Sequence, residues 1–204
     1  AEKDGKFIYA TADCTGHGVP GGFMSMLSVS LLNEVVIERG QTDPGAILNH
    51  VREKIITAMK QTGAEGENKD GMDIVLNVFD PKAKTLQYAA ANNGFYIVRN
   101  NEVISYDPHK QPIGYFAYGM TPFPAVTVEL QKGDRIYTFT DGFADQFGGP
   151  RGKKYKYKQL EEMLLKIHTM PMAQQKQIMH ENIVEWQGDL EQNDDICLIG
   201  VCIQ

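Results

Sequence analysis

The chain has 204 residues, of which 42% are hydrophobic and 23% charged, with a formal net charge of −6. That length suits one substantial core, and that composition excludes disorder. The acidic balance excludes the basic footprint of a nucleic-acid partner. Three cysteines, Cys14, Cys197 and Cys202, form no CxxC pair, which excludes a disulfide framework or structural zinc and makes the reducing cytoplasm the default compartment. No signal-peptide pattern is read at the start, and residues 23–37 read as too polar and too short to cross a bilayer, so no direct membrane contact by this domain is expected. The chain does not begin with Met and reads as a fragment of a longer polypeptide.

Asp4-Gly5 is a hairpin-turn dipeptide followed by an apolar strand, Phe7–Ala12, that delivers Asp13 to its end. Only Ala1–Lys3 precede the turn, so the N-terminal strand reads as truncated. The edge of Phe7–Asp13 would then be open to pairing with a second copy, a homodimer. Pro20–Arg39 has helical spacing, with Phe23, Met24, Leu27, Leu31, Leu32, Val35 and Val36 on a broad apolar face and Gly40 as a stop. Asp43-Pro44 opens a second helix through Ile47, Leu48, Val51, Ile55 and Met59.

Residues 61–70 read as a loop. Short strands follow at Asp73–Phe79, Leu86–Ala91, Phe95–Arg99 and Glu102–Tyr106, the last two joined by an Asn100-Asn101 turn. Residues 108–124 are irregular, and strands resume at Ala125–Leu130 and Arg135–Thr140. Helices are predicted at Tyr157–Ile167 and Ala173–Trp186, and a strand at Asp195–Ile203. With no internal repeat, this order predicts a single α+β domain over residues 1–204, sheets packing on sheets and helices covering them.

Three places set aspartate beside an apolar strand: Asp13 in DCTGHG, Asp141 in FTDGFAD and Asp194-Asp195 in NDDICLIGV. A carboxylate at a strand end is costly to desolvate unless a cation compensates, and no Arg or Lys adjoins Asp13 or Asp141. Hard divalent cations with oxygen ligands fit this pattern. Taken singly, each aspartate reads as a turn or cap residue; three sites sharing one pattern point instead to a common role.

Together, DCTGHGVPGGFMS, TDGFAD and NDDI resemble the SpoIIE- and RsbU-like branch of the protein phosphatase 2C superfamily, in order and over essentially the whole chain. The resemblance implies a four-layer α-β-β-α sandwich and two or more Mg²⁺ or Mn²⁺ ions. It assigns Asp13 as a bridging ligand, the Gly16 carbonyl, Asp141 and Asp194 as further ligands, and Asp145 to a weaker third site. Asn92 or Asn93 of AANNG stands where related phosphatases carry another aspartate, and Asp195 would support the ligands. The implied reaction is hydrolysis of phosphoserine or phosphothreonine on a regulatory protein, such as an anti-sigma-factor antagonist, by a metal-bridging water. His17 is a candidate general acid, with a structural hydrogen-bonding role as its alternative.

The family's aspartate on the preceding strand is absent from this chain, so weak activity or none is expected of it as given. An upstream sensor domain in the same polypeptide, membrane-tethered or not, completes the implied architecture. The alternative function is a non-catalytic signalling module with the same fold. Cys14 has Pro20 where a cysteine phosphatase needs arginine, and GHGVPGG lacks the GK[ST] of a phosphate loop. Met24, Met26 and Leu27 read as core. The basic run Arg151–Lys158, with Lys153 and Lys154, reads either as a solvated loop or as a flap for a phosphorylated partner.

Overall fold

Asp4 and Gly5 both have positive φ, 52° and 76°, the geometry that closes a right-twisted hairpin in two residues. The turn joins β1 (Glu2–Lys3) to β2 (Lys6–Cys14), pairing Glu2 with Phe7 and Lys3 with Lys6. Ala1 extends the pairing, its ammonium and carbonyl each lying 2.8 Å from the backbone of Ile8. The partner strand expected to be lost is therefore present in short form. The computed structural model describes residues 1–16, 18–67 and 69–204, so His17 lies outside the described residues.

The chain divides into two units, Ala1–Gly94 with Asp107–Leu130, and Phe95–Tyr106 with Gln131–Gln204. In the first, β2, β3 (Met72–Asp80), β4 (Thr85–Ala91) and β7 (Val126–Glu129) continue the hairpin into one antiparallel sheet, ordered β1-β2-β3-β4-β7. Alternation divides its faces. Ile8, Ile74, Leu76 and Val78 join the core beneath the helices, which leaves Tyr9, Thr11 and Asp13 on the opposite face.

Two helices supply the rest of that core. The first, α1 (Gly18–Asn33), runs into a π-helical turn, Glu34–Glu38, and stops at Gly40 with φ 67°. The second, α2 (Pro44–Ala58), is capped by Asp43, whose Oδ1 accepts from the Ala46 N–H at 2.6 Å. Ile47, Leu48, Val51 and Ile55 of α2 are fully buried. The buried side of α1 is narrower than its sequence suggests. Met24 is buried, but Phe23 and Met26 are 69% and 71% exposed, correcting their assignment to the core. The helical run from Gly18 to Glu38 is 21 residues, long and apolar enough by length and composition to cross a membrane, which corrects the stretch read as too short; Met24, Val35 and Val36 pack into the core.

In the second unit, β5 (Phe95–Arg99), β6 (Glu102–Tyr106), β8 (Arg135–Phe139) and β11 (Leu198–Cys202) form an antiparallel sheet ordered β11-β8-β5-β6. The Asn100-Asn101 turn has φ of 51° and 63°, as a two-residue hairpin requires. Helices α4 (Tyr157–Ile167) and α5 (Met172–Gln187) close over this sheet, and Leu160, Leu164 and Ile167 meet Tyr96, Tyr137 and Phe139 in a second core. Arg99 grips the almost fully buried Asp134 with two bonds, Nε to Oδ1 at 2.8 Å and Nη2 to Oδ2 at 2.6 Å.

A short helix, α3 (Gly142–Asp145), leads into a two-residue hairpin, β9 (Phe147–Gly148) and β10 (Lys153–Lys154). Trp186 anchors the hairpin: its Nε1 donates to the Gln146 carbonyl at 3.1 Å and its carbonyl accepts from the Gly149 N–H at 2.6 Å. Each unit is thus a pair of helices on an antiparallel sheet, the two α–β halves that the expected sandwich requires. Apolar burial is shared between two cores rather than gathered in one.

Candidate metal centre

In the second unit, the site is assembled by Thr140, which the sequence reading passed over. It follows β8 directly and is buried. Its N–H donates to the Cys197 carbonyl at 2.9 Å and its hydroxyl to the Asp195 carbonyl at 2.9 Å, while the same hydroxyl accepts from the Cys197 N–H at 3.0 Å. These bonds hold residues 195–197 beside 140, and β11 begins only at Leu198, three residues later than expected. Thr140 thereby sets the neighbours Asp141 and Asp194 together, with carboxylate oxygens within 4.8 Å.

Glycine is required between them, because a Cβ on Gly142 would stand 2.5 Å from the Asp195 carbonyl oxygen. Asp141 occupies the N-cap position of α3, yet its side chain makes no capping bond, so the simple cap reading fails there. Asp194 Oδ1 accepts from the Asp195 N–H at 2.8 Å, and both aspartates are exposed. Tyr157 registers the local charge: burial first, then Asp141 and Asp145, push its hydroxyl up to about 12.

Asp145 has a cation already. The Lys154 ammonium lies 2.7 Å from its Oδ2, both side chains being nearly half exposed, and also sits over the Phe147 ring. Lys153 lies beside it on the same exposed strand, paired with Gly148. The basic run is therefore a hairpin with one lysine engaged, rather than a wholly solvated loop.

In the first unit, Asp13 is the penultimate residue of β2. The chain is then pinned by Thr15, whose N–H donates to the Gly71 carbonyl at 3.0 Å and whose hydroxyl accepts from the Gly71 N–H at 3.1 Å. Gly16 takes a φ of 93°, and its carbonyl oxygen lies over the Cα of Gly21 so closely that any Cβ at position 21 would collide with it. The second half of the GHGVPGG run thus shapes the turn that presents the Gly16 carbonyl.

The ladder sets Asp73 directly opposite Asp13, a residue that sequence reasoning missed. Asn92, with φ 54°, donates from Nδ2 to Asp73 Oδ1 at 3.0 Å. The signal was available: Asp73 begins the strand in GMDIVLNV, a fourth aspartate at a strand terminus.

Like charges as close as those of Asp141 and Asp194 are relieved by a cation, and carboxylates are the hard oxygen ligands that Mg²⁺ and Mn²⁺ prefer. The donor set fits such ions. Residues 3–204 also match one family model, Stage II sporulation protein E (SpoIIE). The chain belongs to the SpoIIE family.

Solved structures share the fold of this SpoIIE-family chain. The SiaA PP2C domain of Pseudomonas aeruginosa is 27% identical and superposes with a TM-score of 0.88, over 100% of this chain and 78% of that one. The PP2C phosphatase domain of SpoIIE from Bacillus subtilis, with a fragment of its regulatory domain, is 16% identical with a TM-score of 0.75, over 97% and 55% of the two chains. The RsbU and RsbW domains of Rv1364c from Mycobacterium tuberculosis are 22% identical with a TM-score of 0.73, over 97% and 52%. The chain spans about half the length of the last two. No curated protein matches it in sequence. The fold is that of the PP2C phosphatases, the α+β class expected.

Proposed function

We propose that this SpoIIE-family domain is a metal-dependent serine/threonine protein phosphatase acting on a phosphorylated regulatory protein. The observation that carries the reading is the pair Asp141 and Asp194, brought together by Thr140 in a chain of this family. Asp13 and the Gly16 carbonyl are the ligands the first unit would add, and Asp145 would hold a weaker third ion. Asp195, through its carbonyl on Thr140, keeps the pair in register. Divalent ions held there supply Lewis acidity, activating water near neutral pH and offsetting charge on a phosphoryl group.

The chain's own residues do the rest. Lys153 and Lys154 present positive charge on an exposed hairpin, where a phosphorylated partner is drawn in. His17 is the residue proposed to deliver a proton to the leaving hydroxyl oxygen. The proposed setting is cytoplasmic, with an upstream sensor domain in the same polypeptide and a partner such as an anti-sigma-factor antagonist. Self-association into a homodimer is part of the same reading.

The deciding experiment is hydrolysis of p-nitrophenyl phosphate and of a phosphoserine peptide with Mn²⁺ or Mg²⁺, for the wild type and for Asp141→Asn. Activity should vanish on chelation, return with metal, and fall about 100-fold or more in the variant, as loss of a charge-stabilising group does. Turnover indifferent to both chelator and substitution would sink the reading. A folded chain that binds its partner and never turns over would instead make it a non-catalytic signalling module.

A further inference from the structure

Beside the contact of helix α5 with strand β11 lies a cavity of about 460 Å³. Met172, Met179 and Ile183 of α5 form one wall, Ile196 and Leu198 the other, and Tyr137 with Phe143 the floor. Gly200 stands at the middle of β11 and leaves a notch in that wall, since an added Cβ there would only just touch Met172 and Tyr137, at 3.4 and 3.5 Å.

The polar groups inside are already used. The Tyr137 hydroxyl donates to Gln175 Oε1 at 2.7 Å, and Gln175 Nε2 donates to the carbonyls of His168 and Met170 at 3.1 and 2.8 Å. Water in such a space gains few bonds, and apolar matter displaces it favourably. Two methionines let the walls adapt to an unbranched chain or a ring. Among the described lining residues no carboxylate appears, whereas Lys176 and His180 stand on the exposed side of α5 at the mouth.

We propose that this cavity binds a small amphipathic anion, an apolar chain or ring carrying one carboxylate, with its body between α5 and β11 and its head at Lys176 and His180. The volume lies within the 300–1,000 Å³ typical of small-molecule sites, and charge complementarity sets the sign of the head group. Phe143 and Ile196 of the cavity each stand two residues beyond Asp141 and Asp194. An occupant therefore also presses on the spacing of the carboxylate pair. This coupling rests on the metal-centre reading; the binding itself does not.

The test uses the whole chain, with anilinonaphthalene sulfonate as reporter, displaced by decanoate, decanol or decylamine below their micelle concentrations. Decanoate should bind about fivefold more tightly than decanol, the scale of an exposed ion pair, and decylamine no better than decanol. Lys176→Glu should erase that preference. Gly200→Val, which fills the notch, should weaken decanoate about tenfold. A reporter bound elsewhere, such as on the exposed face of α1, would ignore Gly200→Val, and that result would overturn the proposal, as would equal affinity for the acid and the alcohol.

Calorimetric Mn²⁺ titration with and without decanoate tests the coupling, which should change Mn²⁺ affinity about fivefold. Unchanged affinity overturns the coupling alone. Absence of any Mn²⁺ binding would fell the metal centre and the coupling while leaving the cavity's ligand in place.

Discussion

Lys154 Nζ lies 2.7 Å from Asp145 Oδ2, four residues after Asp141, where the weaker third ion is proposed to bind. A lysine and a divalent cation compete for the same carboxylate. Lys154→Ala should therefore tighten the weakest Mn²⁺ site, by up to about fivefold given that the pair is exposed and screened. Calorimetry with Mn²⁺ reads this directly. An identical weakest site in the variant would mean that Asp145 holds no ion or that Lys154 does not contest it.

Two glycines crowd the backbone that carries or supports the proposed ligands. A methyl at Gly21 meets the Gly16 carbonyl oxygen, and one at Gly142 stands 2.5 Å from the Asp195 carbonyl oxygen. Neither neighbour is a flexible side-chain end, so the ligand segments themselves must move. Gly21→Ala and Gly142→Ala should each weaken Mn²⁺ binding about tenfold or more, the scale of lost support around a metal ligand. Gly22→Ala, whose Cβ would meet nothing within 4 Å, should leave binding unchanged and so serves as the control. Equal affinity in all three variants would dissociate these turns from the metal.

The elements that were legible in the sequence are those with a period or a cap. Asp43-Pro44 announced α2 through a bond the structure contains, and Asn100-Asn101 fixed the β5–β6 register by its turn chemistry. Asp141 and Asp194 stood out because carboxylates beside apolar strands are rare without a reason.

What stayed hidden depends on tertiary pairing. Asp73 becomes notable only when register sets it opposite Asp13, and Thr140 only when residues 195–197 return to it. Strands of two residues, such as β9 and β10, have no period to detect. Phe23 was misplaced because the apolar arc of α1 is wider than the face its sheet and α2 cover. His17 and the proton it would deliver lie outside the described residues.

Asp134 and Arg99 hold β5 and β8 together at a point where the carboxylate is 1% exposed. Asp134 Oδ2 also accepts from the Gln131 N–H at 2.8 Å, closing the turn before β8. Asp134→Ala removes one partner of a largely buried pair and should cost about 3 kcal/mol. Denaturant unfolding measures it. The double variant Arg99→Met, Asp134→Leu should lose less than Asp134→Ala, because it leaves no uncompensated charge; a larger loss would contradict that account.

Tyr137 links the second core to alkaline stability. Burial is the main cause that pushes its hydroxyl from 10.0 up to about 12, and the hydroxyl donates to Gln175 Oε1. A folded-state value raised above the unfolded one favours the neutral tyrosine in the fold. That contribution is complete below pH 10, and it is lost as pH rises through 12. Unfolding followed across this window should show stability declining from about pH 10 upward, and Tyr137→Phe should flatten the decline. The same substitution leaves Gln175 Oε1 without its donor and should cost about 1–3 kcal/mol at neutral pH. Tyrosinate absorbance gives an independent reading, since the variant should lose one late-titrating phenol while the remaining curve is unchanged. A variant whose alkaline profile matches the wild type would show that Tyr137 ionises without disturbing the core.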